Sequence, residues 1–180
     1  MKLPHFILIL FFIFTTISCN SIEPRRPISA KSKTFLKESV ERNKEIYQKE
    51  EKEILKLIEK DTVNVYHTSK DGFWYYYKKK DSLESTTPKF GDKVMFTYTI
   101  SDLNGKALYS IQDLGEQAYI IDKEELFSGL REGLKLMKSG EEVTFIFPSQ
   151  KAFGFIGDNK RIGINVPLVC NVALKSIEPQ

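Results

Sequence analysis

The 180-residue chain predicts an α+β fold: a curved antiparallel β-sheet wrapped on a short α-helix, preceded by a long N-terminal helix and a cleaved signal peptide. Three observations carry this prediction. From residue 62 onward the hydrophobic period is two, in short strands separated by turn residues. One segment, FSGLREGLKLMKSG at 127–140, departs from it with a period near that of a helix. Ahead of both, residues 32–61 place a narrow apolar stripe in an almost wholly charged setting. Successive hairpin-joined strands interrupted by one helix make a sheet covered by that helix, not an alternating parallel fold.

At the N-terminus, Lys2 precedes the apolar run FILILFFIFTTIS, which is short for a bilayer span but suits a signal-peptide core. The run ends at Ser18 and Cys19. An apolar core, a small residue and a cysteine resemble the lipobox of bacterial lipoproteins, with Thr16 where leucine is more usual. In that family the signal is cut before the cysteine, which is then acylated. The resemblance implies a signal peptide at 1–18 and a lipidated Cys19 with a spacer at 19–31. Several acyl chains anchor far better than one, so the expected location is the cell envelope, outside the cytoplasm. Asn20 after the cysteine, where aspartate is absent, points by analogy with enteric sorting to the periplasmic face of the outer membrane. The alternative is an ordinary secretory signal with an incidental cysteine.

Composition removes many chemistries. If Cys19 is lipidated, Cys170 is the one remaining thiol of the two cysteines, and no intramolecular disulfide can form. Cys170 lies in the alternating run PLVCNVAL, as a small hydrophobe would. His5 falls in the signal, which leaves His67. A lone histidine with a lone cysteine argues against a metal site and a Cys/His nucleophile. No phosphate-binding glycine loop or dinucleotide fingerprint is present, so no cofactor is expected. The formal charge is +3 with lysines and glutamates interleaved, which gives no footprint for nucleic acid.

The elements follow in order. NSIEPRRPISAK, residues 20–31, has prolines and no apolar period and reads as a spacer. Residues 32–61 form a helix of roughly seven to eight turns, capped by Ser32 or Ser29. Its stripe is Phe35, Leu36, Val40, Tyr47, Ile54, Leu55 and Ile58. That seam either packs on its own domain or makes a dimer through 32–60. Strands are expected at TVNVYHT (62–68) and FWYYYKKK (73–80), joined by a turn at 69–72. KVMFTYTI (93–100) follows Pro88, and Asn104-Gly105 turns it into KALYS. QAYII (117–121) precedes the helix, in which Leu130, Leu134 and Met137 share one face. Gly129 and Gly133 each weaken a helix by about 1 kcal/mol, and are tolerated where something must come close. Ser139-Gly140 ends the helix before EEVTFIFP (141–148), a glycine-bearing loop, and a closing strand INVPLVCNVALKSIE (164–178).

Residues 62–180 are identified as a domain similar to FKBP-type peptidyl-prolyl cis-trans isomerases. PKFGDKVMFTYTISDLNGKALYS resembles the family's "P-x-x-G-D-x-V-x-V-x-Y-x-G-x-L-x-D-G-x-x-F-D-S" segment, and LFSGLREGLKLMKSGEEVTFIFP its "V-I-x-G-W-x-E-G-L" stretch with the strand beyond. KAFGF resembles "L-A-Y-G". The resemblance implies an apolar pocket between helix and sheet that accepts a proline ring. Leu130 falls at its floor, Leu126 and Phe127 at its wall, and the Phe127 N–H would bind the substrate carbonyl. Tyr98, Leu108, Tyr109, Phe153 and Cys170 match other lining positions. On this reading Tyr98, Phe127, Leu130 and Phe153 act on the reacting bond, while Leu108, Tyr109, Leu126 and Cys170 bind substrate. Any helix packed on a sheet would also need these residues apolar merely to fill its core.

The chain departs from the family in that pocket. An aspartate of the family pattern is Tyr109, a tyrosine is Phe153, the floor tryptophan is Leu130, an aromatic wall residue is Gln117, and a phenylalanine is Cys170. Reduced turnover and poor binding of the family's macrolide inhibitors are expected. Two functions therefore stand: isomerisation of proline-containing exported polypeptides, or a binding module that kept the fold and serves an envelope motility or secretion assembly. Chaperone action could coexist with either. The lipobox, spacer, charged helix and GFWYYY together resemble GldI-type lipoproteins, FKBP-like proteins associated with gliding motility in Bacteroidetes.

Overall fold

The computed structural model describes residues 29–81 and 86–180, with side chains from Phe35 onward. The expected signal peptide, Cys19 and nearly all of the spacer lie outside these residues. Two units divide the chain, 1–38 and 39–180. Of the first, only the opening turns of a helix are described.

Helix α1 spans Ser29–Lys60, starting three residues before the expected 32. Along 40–60, Ile46, Glu50, Ile54 and Ile58 follow at i+4 steps, with Tyr47 and Leu57 beside them, and these are the residues that lose exposure. Ile54 is wholly buried, whereas Val40 stays open to solvent. Glu50, a charge inside the apolar stripe, is buried as well.

The strand expected at 62–68 shrinks to β1, His67–Thr68. Alternation at 62–66 was real, but Asp61 outcompetes a ladder for its backbone. Its carboxylate accepts the N–H of Val63 at 3.0 Å and of Asn64 at 3.2 Å, the Asn64 amide at 2.8 Å and the Tyr66 hydroxyl at 2.9 Å. These donors outweigh the slight burial and hold Asp61 down at about 2.

The remaining strands are β2 (Trp74–Lys79), β3 (Lys93–Asp102), β4 (Ala107–Tyr109), β5 (Gln117–Ile120), β6 (Glu142–Phe147) and β7 (Leu168–Glu178). They pair antiparallel in the order β1-β2-β6-β7-β3-β4, with β5 on the first half of β3. The last strand begins at Leu168 rather than 164, because Asn165 takes a left-handed conformation (φ 53°) and donates its N–H to Gly154 O at 2.8 Å. A short helix α2, Ile111–Leu114, was not expected. Its signal is the capping box in which Ser110 and Asp113 satisfy each other's backbone N–H.

Register decides what faces the core. Tyr75, Phe145, Cys170, Ile100 and Tyr109 line up as one row across β2-β6-β7-β3-β4. The next row is Tyr77, Val143, Val172 and Tyr98. Between them, on the opposite face, Thr144 donates to Asn171 at 2.8 Å and Asn171 to Thr99 at 3.3 Å, a polar row whose hydrogen bonds satisfy the buried Thr144 hydroxyl. Helix α3, Ser128–Leu134, covers the apolar face. It is shorter than the expected 127–138, since tighter bonds from Leu136 and Met137 to Gly133 and Leu134 close its last turn.

Leu130, Leu134 and Met137 are fully buried beneath α3. Gly129 and Gly133 face the sheet. A Cβ on Gly129 would sit 2.5 Å from Cδ1 of Phe147 and 2.7 Å from Lys151 O, and one on Gly133 would sit 3.0 Å from the Phe145 ring. Those two rings are stacked, 5.5 Å between centroids and 9° between planes.

Gly129→Ala is therefore expected to lower stability by about 1–3 kcal/mol through overpacking. Gly163→Ala, where the nearest atom is an ordinary 3.6 Å away, should stay within about 0.5 kcal/mol of wild type. Urea unfolding monitored by Trp74 fluorescence measures both, and equal midpoints would refute the close approach.

Candidate active site

The residues expected at the pocket divide into those wholly buried and those that keep some surface. Leu130 and Cys170 are fully buried within the main cluster. Tyr98, Leu108, Tyr109, Leu126, Phe127 and Phe153 pack against that cluster while keeping some surface. Leu130 is set by α3, between the two glycines that bring the helix down. Cys170 is set by register, between Phe145 and Ile100.

Phe127 is the N-cap residue of α3, with extended backbone (φ −61°, ψ 142°). Its carbonyl takes the Arg131 N–H at 3.1 Å, and its own N–H bonds no other described residue. Its ring lies 5.2 Å from Phe153 at 45° and 5.5 Å edge-on from Phe147. Two of the proposed wall residues, far apart in sequence, thus touch. Phe147 completes this trio and escaped the sequence reading, where it was one more apolar residue of a strand.

Tyr98, on β3, packs 5.5 Å from Phe96. Burial raises the Tyr98 hydroxyl to about 12, with Cys170 and Tyr109 adding to the rise. Burial alone pushes the Cys170 thiol up. Its thiolate is thereby disfavoured, and the residue is inert packing. Gln117 turns its amide to Leu114 O, away from any role as an aromatic wall.

Tyr109 is held by groups outside the expected set. Its hydroxyl donates to Asp158, and the Arg161 guanidinium lies 4.9 Å over its ring. The bond to Asp158 raises the Tyr109 hydroxyl above its ordinary value. Burial works against the charge on Asp158, but the Tyr109 hydroxyl and the N–H groups of Ile162, Lys160 and Arg161 outweigh it and hold the carboxyl low. Arg161 also meets Asp113 at 2.9 Å and Leu108 O at 3.0 Å. The GDNKRIG segment carries the local signal for this, an aspartate able to gather the next backbone N–H groups.

Behind Phe153, a cleft of about 290 Å³ separates the 149–156 loop from α1, with Ile46, Tyr47 and Phe155 among its walls. Among the described residues no group of three or more His, Cys, Asp or Glu could hold a metal ion. No described helix is long and apolar enough to cross a membrane.

Phe127 and Phe153 thus meet at the start of a short helix laid on a sheet, packed against an apolar cluster that includes the buried Leu130 and Cys170. The sequence model of FKBP-type peptidyl-prolyl cis-trans isomerase matches residues 84–175, just over half of the chain. The chain belongs to this family and is a peptidyl-prolyl isomerase by that membership. FkpA from Escherichia coli superposes with a TM-score of 0.61 at 21% identity, over 99% of this chain and 83% of its own. A peptidyl-prolyl cis-trans isomerase from Pseudomonas syringae pv. tomato gives 0.60 at 20% identity, over 76% of this chain and 96% of its own. At such identities the likeness is one of fold.

The raised Tyr98 hydroxyl has a consequence for stability. The fold favours its neutral form, so its contribution is complete below the unfolded value near 10 and is lost as pH rises through about 12. Thermal unfolding between pH 9 and 12 should show a smaller fall in Tm for Tyr98→Phe than for wild type. Parallel curves would mean the hydroxyl is not desolvated.

Proposed function

We propose that the protein isomerises X-Pro bonds of exported polypeptides, held at the cell-envelope membrane by lipid on Cys19. The observation that carries the catalytic reading is the contact of Phe127 with Phe153, both packed against the apolar cluster that holds the buried Leu130. It supports a dry site for the proline ring, because the contact lies beside a backbone donor without a partner among the described residues. Rotation about an X-Pro bond meets a barrier of about 18–20 kcal/mol from amide resonance. The planar amide is the more dipolar form, so water favours it over the twisted one. An apolar cup removes that advantage, and the Phe127 N–H directed at the twisted carbonyl adds binding that the ground state lacks. Tyr98, Leu126, Leu108 and Cys170 would shape the cup around the proline and the residue before it. Neither metal nor cofactor enters this chemistry.

Unaided isomerisation takes tens to hundreds of seconds, which gives a tethered catalyst a role in folding envelope proteins. Membership of the GldI-type lipoproteins, with a part in gliding motility, is the finer form of this reading. The binding-module reading draws on Tyr109, which Asp158 and Arg161 tie down at the rim where the family pattern has a free carboxylate. A partner would then be held with little turnover.

Protein beginning at Asn20 should accelerate cis-to-trans isomerisation of a Phe-Pro or Leu-Pro peptide, and Phe127→Asp should lower kcat/KM at least tenfold, about 1.4 kcal/mol. Undiminished catalysis by the variant would move the site elsewhere. No rate above background from folded wild type would leave the binding module.

The anchor is tested separately. Cells expressing the full chain should incorporate labelled palmitate into it, and Cys19→Ala should abolish the label. Label persisting in that variant would sink the lipoprotein reading.

A further inference from the structure

We propose that Glu50 is a positioning residue for the proline pocket, through which helix α1 sets the loop that carries Phe153. The proposal rests on reading Phe153 as a pocket wall. Glu50 lies on α1, well before the segment that matches the family. Its side chain is 5% exposed and reaches Ser149, which is fully buried. One carboxylate oxygen accepts the Ser149 N–H at 2.8 Å and the other its hydroxyl at 2.7 Å.

A buried carboxylate is costly unless its oxygens are satisfied, and two short charge-assisted bonds do this here. Helix docking alone does not call for such a pair, because an apolar residue between Ile46 and Ile54 would dock the helix as well. What the pair adds is a fixed orientation for one residue of the loop.

Ser149 relays that orientation. Its carbonyl accepts the N–H of Ala152 at 2.9 Å and of Gly154 at 2.8 Å, the two neighbours of Phe153. Glu50 thus grips the donor side of Ser149, and Ser149 grips the backbone on either side of the ring. Phe153 needs this, because it has Phe127 at 5.2 Å on one side and the open cleft towards α1 on the other. Phe153 is itself one of the residues lining that cleft of about 290 Å³. The ring's place against Phe127 is therefore a property of the loop backbone. Ser128 bonds Lys151 O at 3.3 Å and steadies the turn's start, but it does not reach the residues flanking Phe153.

The test combines amide exchange with kinetics on folded protein. In Glu50→Ala, exchange of the Ala152 and Gly154 amides should rise at least tenfold while the Phe145 and Val172 amides keep wild-type protection. KM for a Leu-Pro peptide should rise at least fivefold with kcat within twofold. Glu50→Gln can still accept from the Ser149 N–H and should recover most of both effects. A role in stability alone would lower Tm and raise exchange throughout, with unchanged KM, and would overturn the proposal. So would wild-type exchange at Ala152 and Gly154 in folded Glu50→Ala. If that variant does not fold, Ser149→Ala removes only the hydroxyl bond. It should give a partial rise in the same two amides and in KM, and wild-type values for it would be equally fatal. Should wild type lack catalysis, the isomerase reading falls, while exchange at Ala152 and Gly154 still decides what Glu50 does.

Discussion

A helix can be lowered onto stacked phenylalanine rings only where its backbone presents no Cβ. Gly129 and Gly133 meet that constraint against Phe147 and Phe145, and much of the molecule is arranged around it. Between them stands Leu130, which the close approach drives into the sheet until it is wholly buried. Phe127, at the mouth of the same helix, is brought edge-on to Phe147. Lys151 O, backed against Gly129, is brought in with the loop that bears Phe153. Each glycine costs about 1 kcal/mol of helix propensity relative to alanine, which is small beside the burial of Leu130, Leu134 and Met137 that the approach permits.

The candidate site is built from apolar residues, with polar groups gathered beside Tyr109. The family pattern sets a carboxylate on the strand position occupied here by Tyr109. In this chain the nearest carboxylate is that of Asp158, one side chain further out, fixed by three backbone N–H groups and by the Tyr109 hydroxyl. The charge is thereby moved from the sheet edge to the loop, and Arg161 follows it to bridge Asp113 and the Tyr109 ring. Such an edge ties its charges to one another and to the loop backbone.

Period and punctuation carried most of the fold. The hairpin at Asn104-Gly105, the long strands 93–102 and 168–178 and the helix near 128 are legible because local chemistry and tertiary packing demand the same pattern there. Residues 62–66 misled because alternation says nothing about where N–H groups go, and Asp61 takes them. The closing strand starts later than its alternation implies, and INVP carries the reason, since Asn165 tolerates a left-handed turn and Pro167 cannot donate to a ladder. Within the site, the positions on strands and on α3 follow from register and family pattern. The groups that hold those positions do not. Asp158 could have been suspected from its Asn-Lys-Arg context, but Glu50 and Ser149 stand 99 residues apart, and a glutamate in a charged helix looks like its many neighbours. Only its i+4 spacing with Ile46 and Ile54 sets it apart, and that spacing has meaning once the buried face is known.

The physical domain is larger than the segment the family pattern recognises. Phe73 precedes the matched residues, yet it is fully buried and meets the edges of both Phe145 and Phe147 at 5.9 and 5.2 Å. These are the rings on which α3 rests, so their stack is enclosed on one side by glycine backbone and on another by Phe73. Burial of such a ring contributes about 1.5–3 kcal/mol, and the strand that follows it extends the sheet by pairing with β6 from Trp74 to Lys79. Residues ahead of the family segment therefore meet the supports of the candidate site from two directions. Phe73 supports the floor through the stacked rings, and Glu50 reaches the wall through Ser149. A sheet and helix cut at residue 84 would keep every residue that lines the cup and lose the contacts that fix where those residues stand.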